Sequence, residues 1–396
     1  MASRTPPLRM DDPVVVSLSV PREARWGFHQ FPALSRLPDG RILLMYADAA
    51  DASETHGELA PSYVSADEGL SWEPFSGEPA PVRPHYSVSE VFDKQCLVMP
   101  SHRYLNYVQA GVQLPTPVSE ADVYGLRRQY RVADMPEIVQ EYFRHIPAKR
   151  WRPETGVWQD ETIEFDMAGR LTWVNGGSEV MPRTFFERHL LRFGEELLYA
   201  DYRSCYAMQS GAIAGKGGSS LMVSTDNGQS FTRRATIAID PTGQDLYGEP
   251  VLSPTRDGRL VCVIRKTDQE QKPMAITWSG DQGHTWSSPR ELCDFGVWPC
   301  VLLLGNGALV LSYGRPGVHL RVSPDGNGES WSDPLAVIEG NHGWVTQHTC
   351  GYTSMLEVDA DSFLFAYSDF LHLDESCVQR KAILVRRVKV GSLGKD

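Results

Sequence analysis

The chain has 396 residues and a formal charge of −12, from 38 Lys and Arg against 50 Asp and Glu. That balance argues against nucleic acid or an anionic membrane as the main partner, and no apolar run approaches the length of a membrane span. The 41% hydrophobic and 22% charged residues are those of an ordinary folded protein. The seven Cys form no CxxC pair, and Cys96, Cys262 and Cys300 sit in apolar runs, as buried reduced thiols do. The N-terminal stretch lacks the apolar core of a signal peptide. A cytoplasmic location is therefore expected, or a secreted one had a leader been removed.

In chain order, the first element is "PVVVSLSV", Pro13 to Val20, a short apolar strand. "WGFHQFPALSRLPDGRILLMYAD" follows, from Trp26 to Asp48, with Pro-Asp-Gly between two apolar runs: a hairpin whose first strand carries His29 and Gln30 just before Pro32. An acidic loop then holds Asp48, Asp51, Glu54, His56 and Glu58. "SADEGLSW" comes next, Ser65 to Trp72, and it returns as "STDNGQSF" at Ser224, "SGDQGHTW" at Ser279 and, with one extra residue, "SPDGNGESW" at Ser323. "RPETGVW", from Arg152, is a degenerate candidate for a fifth copy. The residue types suit a hairpin turn: Asp accepts the turn's own amides, Gly takes the left-handed conformation, and the aromatic ring packs as the strand resumes.

A second repeat is a turn leading into an apolar strand with a polar end. It occurs up to Asp48, Arg103, Arg203, Arg265, Arg315 and Asp369. Six such units point to six small antiparallel sheets, an all-β six-bladed propeller occupying residues 1–396 as one domain. The early strand would close the ring against the last blade. The second unit is overlong. Between about 111 and 151, "VADMPEIVQEYFRHI" predicts a helix capped by Asp134, beginning near Pro136, with Ile138, Val139, Tyr142 and Phe143 at helical spacing. This helical insertion would either decorate blade 2 or cover part of one propeller face.

The staples and blades resemble the sialidase superfamily, with its Asp-box (BNR) repeats. The resemblance becomes specific in "YGEPVLSPTRDGRLVCVIRK", where Glu249 and Arg265 match a catalytic Glu and a carboxylate-binding Arg. It is specific again in "SYGRPGVHLRVSPDG", where Arg315 matches another carboxylate-binding Arg, and in "HTCGYTSMLEV", where Tyr352 matches the nucleophile. The types make chemical sense. A neutral Tyr is not repelled by an anomeric carboxylate, a Glu can act as its base, and Arg grips a carboxylate bidentately. The resemblance further implies an acid in the first blade's loop, with Glu54 nearest to the matching position and Asp51 second. Two positions depart from the pattern. Gln30 stands where the first carboxylate-binding Arg would be, and Ser368 and Asp369 stand where a Glu would hold that Arg. His29, Arg203, Arg103, Arg183 and His348 are further candidates for the same cleft.

The expectation is thus a sialidase-like glycoside hydrolase that removes a terminal acidic sugar, sialic or a related ulosonic or uronic acid. Its cofactors would be none, and no His, Cys and Asp spacing suggests a metal. Two alternatives share the fold: a polysaccharide lyase using Arg and His or Tyr on a uronate, and a non-catalytic carbohydrate-binding propeller.

Overall fold

A computed structural model of the chain describes residues 8–391 except 84–86, 100–101, 124, 185–188, 203–205, 208–210, 212, 214–215 and 267–270. The described residues are nearly all β, with one α-helix, Glu137–Arg144. Three four-stranded antiparallel sheets run in chain order. The first is Phe28–Arg36, Ile42–Asp48, Ser62–Ser65 and Glu73–Pro74. The others begin at Tyr247–Pro254 and at Val297–Leu303 and end at Arg290–Cys293 and Leu335–Ile338. An eight-stranded sheet consists of two four-stranded meanders, Ser89 to Phe165 and Leu191 to Ala238, joined by a parallel pairing of Phe165 with Phe231. The last sheet holds Ser354–Asp359, Ser362–Leu373 and Gln379–Val390, and both early strands, Leu8–Met10 and Val14–Leu18, pair with Gln379–Val390.

Strands apolar on both faces need cover on both sides, and each sheet finds it on its neighbours. Leu43 and Met45 pack with Cys96 and Val98, Leu97 and Ile163 with Leu197 and Met222, and Leu198 and Leu221 with Cys262 and Ile264. Val261 and Ile276 pack with Leu309 and Leu311, Val310 and Leu320 with Phe363 and Phe365, and Leu364 and Ile383 with Leu34 and Leu44. Each sheet shares a core with the next, and the last shares one with the first.

The four repeated turns share one set of bonds. Ser65 Oγ donates to Asp67 and receives the Gly69 N–H, Asp67 accepts from the Ser71 N–H and hydroxyl, and the Trp72 indole donates to Gly69 O. The pattern recurs at Ser224, Ser279 and Ser323, although Phe231 has no indole to donate. The turn after Arg152 differs: the N–H groups of Thr155 and Gly156 bond to Arg152 O.

The overlong second unit is built mainly from strands. His102–Asn106 pairs with Val180–Thr184, and Ser119–Asp122, Leu126–Arg131 and Leu171–Asn175 form a three-stranded sheet. The helix begins one residue after Pro136, whose fixed φ suits an entry to a helix. Asp134 does not cap it and instead lies in the 3₁₀ turn Val132–Asp134. Val139 and Phe143 are buried in the insertion's own core while Ile138 is exposed, so only part of the expected apolar face is used. His145–Arg152 already belongs to the eight-stranded sheet.

Candidate active site

The first strands of three sheets are irregular at one end. Register shifts fall at Phe28/Gln30 and Gln30/Ala33, at Gly248/Val251 and at Val297/Cys300. Here His29, Phe31, Glu249 and Trp298 take positive φ, as does Arg315 beyond its strand. Bulges of this kind re-aim side chains, and conformations that non-glycine residues rarely adopt concentrate at functional sites. Phe31, Glu249 and Arg315 line a cavity of about 480 Å³ together with Trp26, Asp51, Arg127, Trp173, Asn175, Tyr202, Arg265 and Tyr352.

Glu249 is the most densely hydrogen-bonded of these side chains. The Tyr352 hydroxyl donates to its Oε1 at 2.6 Å, Arg265 Nη1 donates to the same oxygen at 2.8 Å, and the Trp298 N–H donates to Oε2 at 2.7 Å. Glu249, Arg265 and Tyr352 are 7, 7 and 8% exposed. Burial pushes the Glu249 carboxyl up, but Arg265, the Tyr352 hydroxyl, the Trp298 amide and Arg315 outweigh it and hold the group below the usual carboxylate range. Burial, and then the Glu249 charge, push the Tyr352 hydroxyl well above its ordinary value. At neutral pH the pair is an ionised carboxylate accepting a proton-bearing phenol.

Apolar contacts fix the phenol. Trp298 stacks on Tyr352 at 5.1 Å between ring centroids and Phe31 tilts against it at 4.9 Å, within a cluster that includes Val297, Cys350 and Phe370. The Arg315 guanidinium lies 5.2 Å from the Tyr352 ring and 5.1 Å from that of Trp26. Its Nε and Nη2 both donate to Cys350 O, at 3.1 and 2.8 Å. Glycine brings these segments together. A Cβ on Gly314 would come within 2.6 Å of the Gly351 backbone, and one on Gly351, at φ +78°, within 2.6 Å of Arg315 N. No side chain fits at either position.

Glu249, Arg265, Arg315 and Tyr352, drawn from separate parts of the sequence, therefore meet in one place. Asp51 joins them on the wall, where its Oδ2 accepts from the Trp26 indole at 3.0 Å. Glu54, in the 3₁₀ turn Ser53–Thr55, is exposed and is not among the lining residues. Gln30 is also elsewhere: it is 0% exposed, and neither atom of its amide finds a hydrogen-bond partner among the described residues. The double bulge turns Phe31, not Gln30, to the cavity. His29 is engaged on both ring nitrogens, with Asp48 at 2.8 Å and Ser17 at 3.2 Å. Asp369 receives the Leu371 N–H and is pushed up by burial, and His348 bonds to Glu339 O. Neither lines the cavity. Ser368 is buried against Cys350. Arg203 lies outside the described residues. The backbones of Arg103 and Arg183 pair with each other in the insertion's two-stranded sheet.

Sequence reasoning missed Trp26, Arg127, Trp173 and Asn175. The strand "LRRQYR" is too polar to read as a core element, and this polarity was the available signal that one of its faces meets something other than a hydrophobic neighbour. A second cavity, about 310 Å³ and mostly apolar, shares Glu249 and Tyr202 with the first and runs between Val251, Leu198, Val301 and Met355. Its lining includes His189 and Asp201 but none of the three arginines of the first. Among the described residues, no group of three or more His, Cys, Asp or Glu stands close enough to hold a metal ion.

No protein-family model and no curated protein matches the chain. Solved structures do. A Dyadobacter fermentans protein of unknown function superposes with a TM-score of 0.64 at 16% identity, over 97% of this chain and 99% of its own. The Penicillium chrysogenum alpha-L-arabinanase complexed with arabinobiose gives 0.56 at 14%, over 95% and 98%. The Hadza microbial sialidase Hz136 gives 0.50 at 13%, over 90% and 65%. At these identities the likeness is one of fold.

Proposed function

We propose that the chain is a single six-bladed β-propeller of the sialidase type, and that it is a glycoside hydrolase removing a terminal acidic sugar. The six cyclically shared cores, the four matching staple turns and the fold likeness to an arabinanase and a sialidase support the architecture. The observation that carries the chemistry is the Tyr352 hydroxyl donating at 2.6 Å to a buried Glu249 that Arg265 keeps ionised, in a cavity that also holds Arg315.

In this reading the Tyr352 oxygen attacks the anomeric carbon as Glu249 takes its proton. Asp51 protonates the departing glycosidic oxygen; its place on the cavity wall favours it over Glu54. Water then attacks the tyrosyl–sugar bond, giving its proton to Asp51, and Glu249 returns the phenolic proton. The substrate's acidic group is bound by arginine, whose fork matches a carboxylate. No histidine is among the described residues lining the cavity, which favours hydrolysis over proton abstraction by a histidine.

The test is a screen of aryl glycosides of sialic, ulosonic and uronic acids beside α-L-arabinofuranosides. Release from an acidic glycoside by the wild type, and none by Tyr352→Phe, is expected. Cleavage of arabinosides alone would overturn the acidic substrate, and an unsaturated uronate product would replace hydrolysis with elimination.

A further inference from the structure

The insertion's three-stranded sheet has two unlike faces. Side chains alternate along a strand, so Arg127 and Gln129 face one way and Arg128 and Tyr130 the other. Tyr130 and Val174 belong to the insertion's apolar core. On the opposite face Arg127 stands across from Asn175 and Gln129 across from Trp173. A face carrying Arg127, Arg131 and two amides ordinarily meets water. Here Arg127 is 8% exposed and Gln129 0%, and Arg127, Trp173 and Asn175 line the cavity that holds Tyr352. Polar groups buried around a cavity mark a ligand site more often than a packing surface.

The geometry around Arg127 is preorganised. Its guanidinium carbon lies over the face of Trp173, 4.0 Å from the ring centroid. Gln129 Oε1 accepts from Ser119 Oγ at 2.8 Å, tying the neighbouring strand to the same face. Arg265 and Arg315 line the same cavity, Arg265 bonded to Glu249 and Arg315 bonded through two nitrogens to Cys350 O.

We propose that Arg127, lying over Trp173 on the inserted sheet, binds the acidic group of the saccharide and selects acidic over uncharged substrates. The inference rests on the acidic-sugar reading above and assigns its selectivity to the insertion rather than to the repeated sheets. Arg127 is a specificity residue here. Bond making and breaking stay with Tyr352, Glu249 and Asp51.

The probes are free N-acetylneuraminate and glucuronate, each beside its carboxamide, titrated calorimetrically into the full chain as wild type, Arg127→Gln, Arg127→Lys and Trp173→Ala. Arg127→Gln is expected to cut the acid-over-amide preference roughly 10- to 100-fold, the size of a charge-assisted bidentate contact. Arg127→Lys keeps the charge without the fork and retains part of the preference, and Trp173→Ala falls between. If Arg127→Gln does not fold, as its thermal melt would show, Arg127→Lys decides the matter, since it must still lower the preference several-fold. An unchanged preference in the folded variants, or a wild type that binds no acid better than its amide, overturns the proposal. If the wild type binds acids but cleaves no aryl glycoside, the hydrolase reading fails and this one stands. If it hydrolyses an acidic glycoside with a preference indifferent to Arg127, the hydrolase reading stands and this one fails.

Discussion

The two ends of the repeated sheets obey different rules. At the staple ends, four turns use the same serine, aspartate and glycine in the same hydrogen bonds. At the cavity ends, register slips, and His29, Phe31, Glu249, Trp298 and Arg315 occupy backbone conformations that side chains disfavour. No two sheets present the same residue there. The staples solve one local problem, closing a hairpin, and one solution serves every sheet. In the proposed reading the cavity ends converge on a single ligand from several directions, so each differs. Backbone strain is tolerated where six packed cores over-determine the fold around it. Substitutions at the cavity ends should therefore cost activity, and those at the staple ends stability.

The largest expected effect is at the phenol. Tyr352→Phe removes the proposed nucleophile but keeps the ring between Trp298 and Phe31, so turnover should fall at least about 10³-fold with an unchanged melt. A comparable loss of melting temperature would mean that Tyr352 is a core residue after all. Asp51→Asn should be next, at roughly 10²-fold, with a diagnostic slope: glycosides with poor leaving groups lose most and activated aryl glycosides least. Equal loss across leaving groups would remove Asp51 from the acid role.

The pH profile follows from the direction of the Glu249 shift. In the proposed mechanism Glu249 must be ionised to accept the Tyr352 proton, and Arg265 is the foremost group holding its carboxyl down against burial. Activity should then persist below the usual carboxylate range and fall only as Glu249 protonates. Arg265→Gln should move that acidic limb of kcat/KM to higher pH. A limb that stays in place would break the link between Arg265 and Glu249.

The staples were the most legible part of the sequence because their bonds are local: every partner lies within a few residues of the serine. The all-β character and the pairing of "PVVVSLSV" with the last strand followed from turn chemistry and apolar runs. Glu249, Arg265, Arg315 and Tyr352 could be named because the stretches around them resemble those of the sialidase superfamily, though their convergence needed the fold. Position 30 was assigned by resemblance to the position of a carboxylate-binding Arg, but the strand bulges twice there and it is Phe31 that lines the cavity. The insertion misled because its helical spacing was real but covers only eight residues, whereas the cavity-facing strand has no periodicity that announces a ligand.

Staple substitutions should show the reverse balance. Asp226 accepts from the Ser224 and Ser230 hydroxyls and the Gln229 and Ser230 amides. Asp226→Ala should cost about 1–3 kcal/mol, seen as a melt lowered by a few degrees at unchanged kcat. Acid should act on the same end. The Ser71 and Thr285 hydrogen bonds, the largest causes, hold Asp67 and Asp281 at about 2. A depressed carboxylate contributes stability above its unfolded value near 4 and loses it as pH falls toward 2. Asp281→Asn should therefore flatten the loss of stability between about pH 4 and 2. An unaltered slope would show that these turns do not govern acid unfolding.

The smallest expected effect tests the comparison where it is weakest. Gln30 belongs to a cavity-end strand by sequence, yet it is sealed from the cavity with an amide that finds no partner among the described residues. A buried amide without a hydrogen bond costs free energy that an apolar side chain of similar length does not. Gln30→Met should thus leave kcat/KM for the acidic glycoside unchanged and raise the melt by about 1–2 °C, the shift expected from a gain of under about 1 kcal/mol in a chain of this size. Gln30→Arg buries a charge at the same place and should destabilise without improving the acid-over-amide preference. A gain in that preference would return the anion contact to the first sheet and take it from the insertion. A melt lowered by Met would mean that the amide is satisfied in solution. Only the first result would move position 30 from the scaffold to the site.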